Sequence, residues 1–244
     1  MREQVKQATT RAAPTAQTII YPIRDGKPMA ETGFHVKLMT YLITMLRAHF
    51  RHRRDVYVSG NMFLYYQEGQ PRKFVAPDVF VAFGVEGFQI RERHSWFVWK
   101  EGKAPDVIFE FTSKATWQED LVKKKALYEQ LGVQEYFLFD PLDEYLAEQL
   151  EGYRLEGGLY VPMPSEEGQL ESQVLGLVLR AEEGELALYD ATTGEPLLPP
   201  TAMAEYLDNA EERADREAKR RRALEAEVAA LQAELARLRG EESG

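Results

Sequence analysis

Apolar residues first recur with a structural period near Thr18-Ile19-Ile20. Residues 1–17 are polar, include Pro14 and show no such period, which predicts a disordered segment. Between Glu31 and Phe50, Val36, Met39, Leu42 or Ile43, and Leu46 stand at helical spacing and predict a helix. The stretch DVYVSGNMFLYY (Asp55–Tyr66) reads as two strands around a Ser59-Gly60-Asn61 turn. FVAPDVFVAFG (Phe74–Gly84) predicts another strand opened by Pro77-Asp78, where the missing proline N–H costs no ladder bond. HSWFVWKEGKAP reads as a short strand and a loop leading into the apolar strand DVIFEFT (Asp106–Thr112). Thr116 is a good helix N-cap, with Thr116-Trp117-Gln118-Glu119 as a capping box. Gly132 supplies the C-terminal signal, and EYFLFDP forms a strand stopped by Pro141. Strand, helix, strand with a crossover of this length predicts a parallel pair. Residues 18–141 are therefore expected to form an α/β domain.

Farther on, the pattern changes twice. YRLEGGLYVPM, QVLGLVLRAEEGELALYD and GEPLLPP are short β segments between glycine-rich turns, so residues 142–200 predict a β-rich appendage packed on the first domain. From Thr201 to Arg239 there is neither Gly nor Pro, and Ala, Glu, Arg and Leu dominate. A helix over 201–240 follows, of which Thr201 to Arg239 spans about 58 Å at ~1.5 Å per residue. Leu224, Val228, Leu231, Leu235 and Leu238 step by four and three along a coiled-coil seam, which Arg221 and Glu217 interrupt farther back. Such a helix predicts a homo-oligomer, a dimer first; the alternative is a helix packed back on its own domain.

Composition narrows the chemistry. There is no cysteine, so disulfides and thiolate metal sites are excluded, and a cytoplasmic address is expected. His35, His49, His52 and His94 show no metal-ligand spacing such as HExxH. No apolar run approaches the ~18 residues of a membrane span, and the N-terminus lacks the apolar centre of a secretory signal, so no membrane partner is expected. The net charge of −10 is unevenly spread. Residues 1–140 carry 20 Lys/Arg against 16 Asp/Glu, residues 141–200 carry 2 against 13, and residues 201–244 carry 8 against 11. The first part is mildly basic and includes RAHFRHRRD (Arg47–Asp55), which suits a polyanionic partner or, equally, a solvated helix end.

One charge stands out against the hydrophobic pattern. Alternation in DVIFEFT puts Val107, Phe109 and Phe111 on one face and Ile108, Glu110 and Thr112 on the other. A buried Glu110 needs a cation or several donors. Asp78 opens its own strand, and two acids on neighbouring strands suit Mg²⁺, which takes one or two carboxylates and keeps several waters. On the following helix, Trp117, Leu121, Lys124, Tyr128 and Leu131 form one stripe, in which only Lys124 is charged. Lys123 and Lys125 point to either side. Lys124 then meets Glu110, or pairs with Asp120 one turn earlier.

Pro77-Asp78, then Glu110, then a lysine resembles the PD-(D/E)xK nuclease superfamily. The stretch as a whole is similar to its Uma-type putative restriction endonucleases, through PDVFV, EFTS, the series Thr116, Asp120, Lys124 and Tyr128, and GVQEYFLFDP. GKPMAETGFH and VYVSGNMFLYY carry the likeness further, over roughly residues 20–200. The resemblance implies a restriction-endonuclease-like α/β core with a mixed central sheet flanked by helices, beside the β appendage and the long C-terminal helix. It also implies metal-dependent hydrolysis of phosphodiester bonds in nucleic acid, DNA first. Asp78 and Glu110 would hold Mg²⁺ or Mn²⁺, Lys124 would act on the phosphate or the attacking water, and Glu31 would be the acid such nucleases place on the first helix. Thr112 stands where the superfamily pattern has lysine; similar families move that lysine to the next helix, and Lys114 is a second candidate. His35, Thr112, Ser113 and Asp120 are possible supporting residues. Arg47, Arg51, Arg53, Arg54, Lys123 and Lys125 are candidates for backbone phosphate contacts. The rival expectation is a non-catalytic oligomeric module that keeps the nuclease fold and binds nucleic acid or protein.

Overall fold

A computed structural model of the chain describes residues 20–22, 33–165, 167–199, 216, 219–221 and 224. The segment 1–17 and Glu31 lie outside the described residues, as does most of the 201–240 helix with its seam. Arg216, Lys219, Arg220, Arg221 and Leu224 are helical and exposed. Helix α1 (Gly33–His49) buries Leu38, Met39, Leu42, Met45 and Leu46. That face is rotated from the expected stripe, and Val36 remains 43% exposed. The sheet beneath accepts the wider i, i+3, i+4 surface that Leu38, Leu42 and Met45 complete.

The strands follow in the order β1 (Val56–Ser59), β2 (Leu64–Tyr65), β3 (Phe74–Val75), β4 (Val79–Phe83) and β5 (Trp96–Phe97). A short helix α2 (Val98–Glu101) and strand β6 (Val107–Phe111) come next. A π-helical turn (Glu119–Lys124) continues directly into α3 (Lys125–Leu131), followed by β7 (Glu135–Phe139), β8 (Leu150–Glu156) and β9 (Leu159–Pro162). Last come β10 (Gln169–Ser172), β11 (Leu177–Glu182) and β12 (Glu185–Asp190). The central mixed sheet has the order β1-β4-β6-β7-β8-β9. Its one parallel pair is β6 with β7, joined by the helical crossover. Pro77-Asp78 separates β3 from β4, so Phe74–Gly84 is two strands rather than one. The two strands of DVYVSGNMFLYY do not pair with each other: β1 joins β4, while β2 lies between β3 and β5 in a small separate sheet.

The expected appendage divides between two places. Strands β8 and β9 extend the central sheet as a hairpin closed by Gly157 and Gly158, both at positive φ, as a two-residue turn between twisted strands requires. Strands β10, β11 and β12 form their own antiparallel sheet. The two sheets are tied through Glu135, a buried acid on β7 that accepts hydrogen bonds from the Ser172 hydroxyl and the Gln173 N–H (3.0 Å) and pairs with Arg154 at 3.2 Å. Two cores result. One lies under α1 and β10–β12 and takes Val107, Phe109 and Phe111; the other lies under α3 and takes Ile108, Tyr128, Tyr136 and Leu138. The alternation read along β6 thus holds, and Glu110 faces the crossover helix.

Candidate active site

Antiparallel register places the two acids side by side. Val79 stands opposite Phe109, so the next position outward sets Asp78 against Glu110. Asp78 Oδ2 accepts the Phe111 N–H at 2.7 Å, and the Asp78 N–H lies 3.4 Å from Glu110 Oε2. On the α1 side, His35 Nε2 lies 3.0 Å from Asp78 Oδ1, with its ring edge-on to Phe111. Gly60 makes the approach possible from the other flank. A Cβ at Gly60 would fall 1.9 Å from the Asp78 carbonyl oxygen, and the neighbouring Asn61 N–H bonds Pro77 O at 2.9 Å.

Glu110 is fully buried, 0% exposed, and its neighbours come from the crossover. The Lys124 ammonium lies 2.9 Å from Glu110 Oε2 and 2.8 Å from Asp120 Oδ1. The Tyr128 hydroxyl donates to Glu110 Oε1 at 2.7 Å. The two pairings that the sequence leaves as alternatives for Lys124 therefore coexist. Their alignment depends on the π-turn, in which the Lys125 N–H reaches back to Asp120 O. Four residues of α-helix overshoot one turn by about 40°, whereas four residues of the wider π-turn fall short of one. The two deviations oppose each other, so Asp120, Lys124 and Tyr128 all look at Glu110. Tyr136, on β7, donates its hydroxyl to Asp120 O at 3.1 Å and pins the turn to the sheet.

The predicted cap is displaced. Thr116 Oγ1 takes the Ser113 N–H at 3.2 Å and meets Ser113 Oγ at 3.1 Å, while the Trp117 N–H bonds Ser113 O. The side-chain half of the capping box thus sits one turn earlier than Thr116-to-Glu119, because residues 114–116 already form a turn closed on Ser113 O ahead of the first helical residue, Trp117.

Burial dominates the electrostatics. Desolvation raises the pKa of Glu110 well above the usual carboxylate range, against the opposing pull of Lys124. Asp120 is raised for the same reason. For Lys124, burial acts downward, but Glu110, Asp120 and Asp78 together outweigh it and the net shift is upward. At neutral pH Lys124 is therefore an ammonium and a donor. Three carboxylates gather around this one ammonium, with His35 at the outer edge.

A cavity of about 600 Å³ opens over this cluster. Asp78, Lys124, His35, Thr112, Ser113 and Lys114 all reach its wall, whereas the supporting residue Asp120 is buried behind Lys124 and does not. Thr112 also bonds the end of β7, its N–H reaching Phe139 O at 2.8 Å. Lys114 is exposed. The basic run lies elsewhere. Arg47 is about 18 Å from His35 along α1 at ~1.5 Å per residue, and Asp55 precedes Val56, which pairs with the far end of β4 at Phe83. Arg47 donates twice to Val58 O (3.0 and 2.9 Å) and lies over Phe88. Arg53 is paired with Asp55, Arg51 bonds Ala48 O at 3.1 Å, and Arg54 is exposed. Lys123 is exposed, whereas the Lys125 ammonium lies 3.5 Å from the centre of the Tyr153 ring. The structure thus does not bring the RAHFRHRRD cluster to the acids.

Sequence reasoning missed three contributors. Tyr128 read as a stripe residue, although a buried tyrosine hydroxyl needs a partner and Glu110 was the nearest unsatisfied group. Tyr136 read as strand core, and Gly60 read as a turn residue. Only the approach of two distant segments reveals the role of that glycine. Among the described residues, no cluster of three or more His, Cys, Asp or Glu side chains has metal-binding geometry. Nor is any described helix long and apolar enough to cross a membrane.

Comparison with known proteins places the chain. Curated proteins give no match. Among solved structures, the chain is similar to the crystal structure of a putative nuclease belonging to DUF820 from Anabaena variabilis ATCC 29413. The identity is 16% over 63% of this chain and 81% of that one, with a TM-score of 0.44. A family model described as putative restriction endonuclease, Uma2, matches residues 10–182. Spanning well over half of its length, that match means that the chain belongs to the Uma2 family of putative restriction endonucleases.

Proposed function

We propose that this protein is a metal-dependent endonuclease that hydrolyses phosphodiester bonds of nucleic acid, DNA first. The observation that carries the reading is the convergence of Asp78, Glu110 and Lys124, with Asp78 and Lys124 lining one cavity and Glu110 buried behind them, on a chain of the Uma2 family. Asp78 and Glu110 would hold Mg²⁺ or Mn²⁺. Their oxygens fit a hard cation: two carboxylates are what Mg²⁺ commonly takes, with waters completing its shell. The surplus of acids over ammonium groups in the cluster fits the same charge. A divalent ion held there would polarise the phosphoryl oxygens and lower the pKa of a bound water.

The chain's own groups supply the rest. Tyr128 and Lys124 fix the Glu110 carboxylate, and His35 with the Phe111 N–H fixes that of Asp78. Lys124, held as an ammonium between Glu110 and Asp120, donates to a phosphoryl oxygen as negative charge gathers there. Water supplies a hydroxyl to phosphorus and, in balance, a proton to the released sugar oxygen. The test is cleavage of plasmid and single-stranded DNA with Mg²⁺, Mn²⁺ or EDTA. The parent should cut only with metal, and Asp78→Ala and Glu110→Ala should not cut; cleavage unchanged by either substitution refutes the site. One observation favours a second reading. Lys124 is also neutralised by Asp120, which suits a binding module without a catalytic cation. Absence of cleavage together with absence of metal uptake in calorimetry would select that reading.

A further inference from the structure

The cavity over the acids has a mouth unlike its floor. Phe34, from the first turn of α1, is 41% exposed there, and Leu142, just past β7, is 60% exposed. Tyr145 completes that wall. Exposed apolar groups gathered at one opening mark a binding surface more often than chance exposure does. The loop that carries Leu142 is not a loose end. The buried Asp140 carboxylate accepts the N–H groups of Leu142 at 3.2 Å, Glu144 at 2.8 Å and Leu146 at 3.1 Å. Leu142 is thus held outward by a built support. The floor is polar, with the Lys124 ammonium 17% exposed, and Lys114 lines the same cavity.

Size selects the occupant. At about 600 Å³ the cavity has the size of sites that enclose one small organic ligand, which leaves room for a single nucleotide and far too little for a stretch of duplex. The reacting groups sit at its base, with Glu110 wholly beneath the surface. A phosphate that reaches them brings its own nucleotide into the cavity, and a paired base is too wide to follow. We propose, on the nuclease reading above, that the cavity takes one unpaired nucleotide. Its base packs between Phe34 and the Leu142–Tyr145 wall while its phosphate faces Lys124 and Lys114. The preferred substrate is therefore single-stranded nucleic acid or an unpaired end, and continuous duplex is disfavoured.

The experiment measures binding without metal, so it does not depend on cleavage. A short DNA strand carrying the fluorescent base 2-aminopurine is titrated with the full chain in EDTA, single-stranded and then annealed; an RNA strand of the same sequence shows which sugar is preferred. The single strand should bind more tightly than the duplex with a change in base fluorescence. Phe34→Ala should weaken single-strand binding by about tenfold, the scale of losing one base–aromatic stack, and Leu142→Ala should weaken it measurably through lost apolar contact. Both side chains are partly in solvent and lie on separate elements, so thermal melts close to the parent's are expected, and either variant can replace the other if one folds poorly. Equal binding of duplex and single strand overturns the proposal, as do two folded variants that bind like the parent. Metal-dependent cleavage of duplex that ignores both substitutions would overturn this inference while leaving the nuclease reading intact. Tight single-strand binding without cleavage in Mg²⁺ would do the reverse.

Discussion

Gly60→Ala isolates the contact that sets the position of Asp78. The added Cβ would lie 1.9 Å from the Asp78 carbonyl oxygen and 3.0 Å from its carbonyl carbon, both backbone atoms that no rotamer change can move. Ordinary contact begins at 3.4 Å, so the two segments must part by about 1.5 Å. Gly60 is not among the glycines at positive φ, so alanine suits its backbone and the effect is steric. Overpacking of this kind costs about 1–3 kcal/mol, which a urea titration reads directly. The larger effect falls on the site. A displacement of about 1 Å in a reacting group costs on the order of 10²-fold in rate, and here Asp78 must move relative to Glu110 or carry the Phe111 N–H bond with it. The assay is initial cleavage rate in saturating Mn²⁺ beside the unfolding midpoint. A Gly60→Ala protein that melts and cuts like the parent would refute the argument that this crossing positions the acid.

The other expectations concern the buried cluster itself. Lys124→Ala should abolish turnover while leaving metal uptake in calorimetry nearly intact, and should lower stability by about 3–5 kcal/mol because Glu110 and Asp120 lose their shared cation; full activity would transfer the role to Lys114. Tyr128→Phe removes the hydroxyl donor to Glu110 Oε1, at a cost of about 1–3 kcal/mol in denaturant unfolding, and an unchanged midpoint would show that this bond contributes nothing. Glu110 has a folded pKa raised above its ordinary 4.5. Its contribution to the stability of the metal-free protein is therefore full below that value and is lost as pH rises through the folded pKa. Melts in EDTA across that range should show the fall, and Glu110→Gln should remove it. Because protons compete with the cation at this group, metal affinity should weaken as pH falls through the same window; affinity flat across it would count against Glu110 as a ligand.

The amino-acid sequence by itself determined the local elements and the acids' neighbourhood. The two-residue alternation of Val107, Phe109 and Phe111 against Ile108 and Glu110 needs no tertiary information, because a strand sends successive side chains to opposite faces. The parallel β6–β7 pair follows from the length of its crossover, and the family is legible in Pro77-Asp78, Glu110 and the series Thr116, Asp120, Lys124 and Tyr128. Periodicity also selects Lys124 from three consecutive lysines. It leaves Lys124 between Glu110 and Asp120, because spacing along a helix says nothing about what stands across from it. That was decided only by the fold, in which a π-turn pinned through Tyr136 opposes the angular drift of an α-helix and presents both acids to one ammonium. The dense basic run Arg47–Arg54 attracts attention in the sequence, yet antiparallel pairing carries it to the far end of β4. Gly60 and Asp78, eighteen positions apart in the chain, meet because β1 and β4 are neighbours. Local patterns are written in single segments; the geometry of the candidate site arises where segments distant in the chain touch.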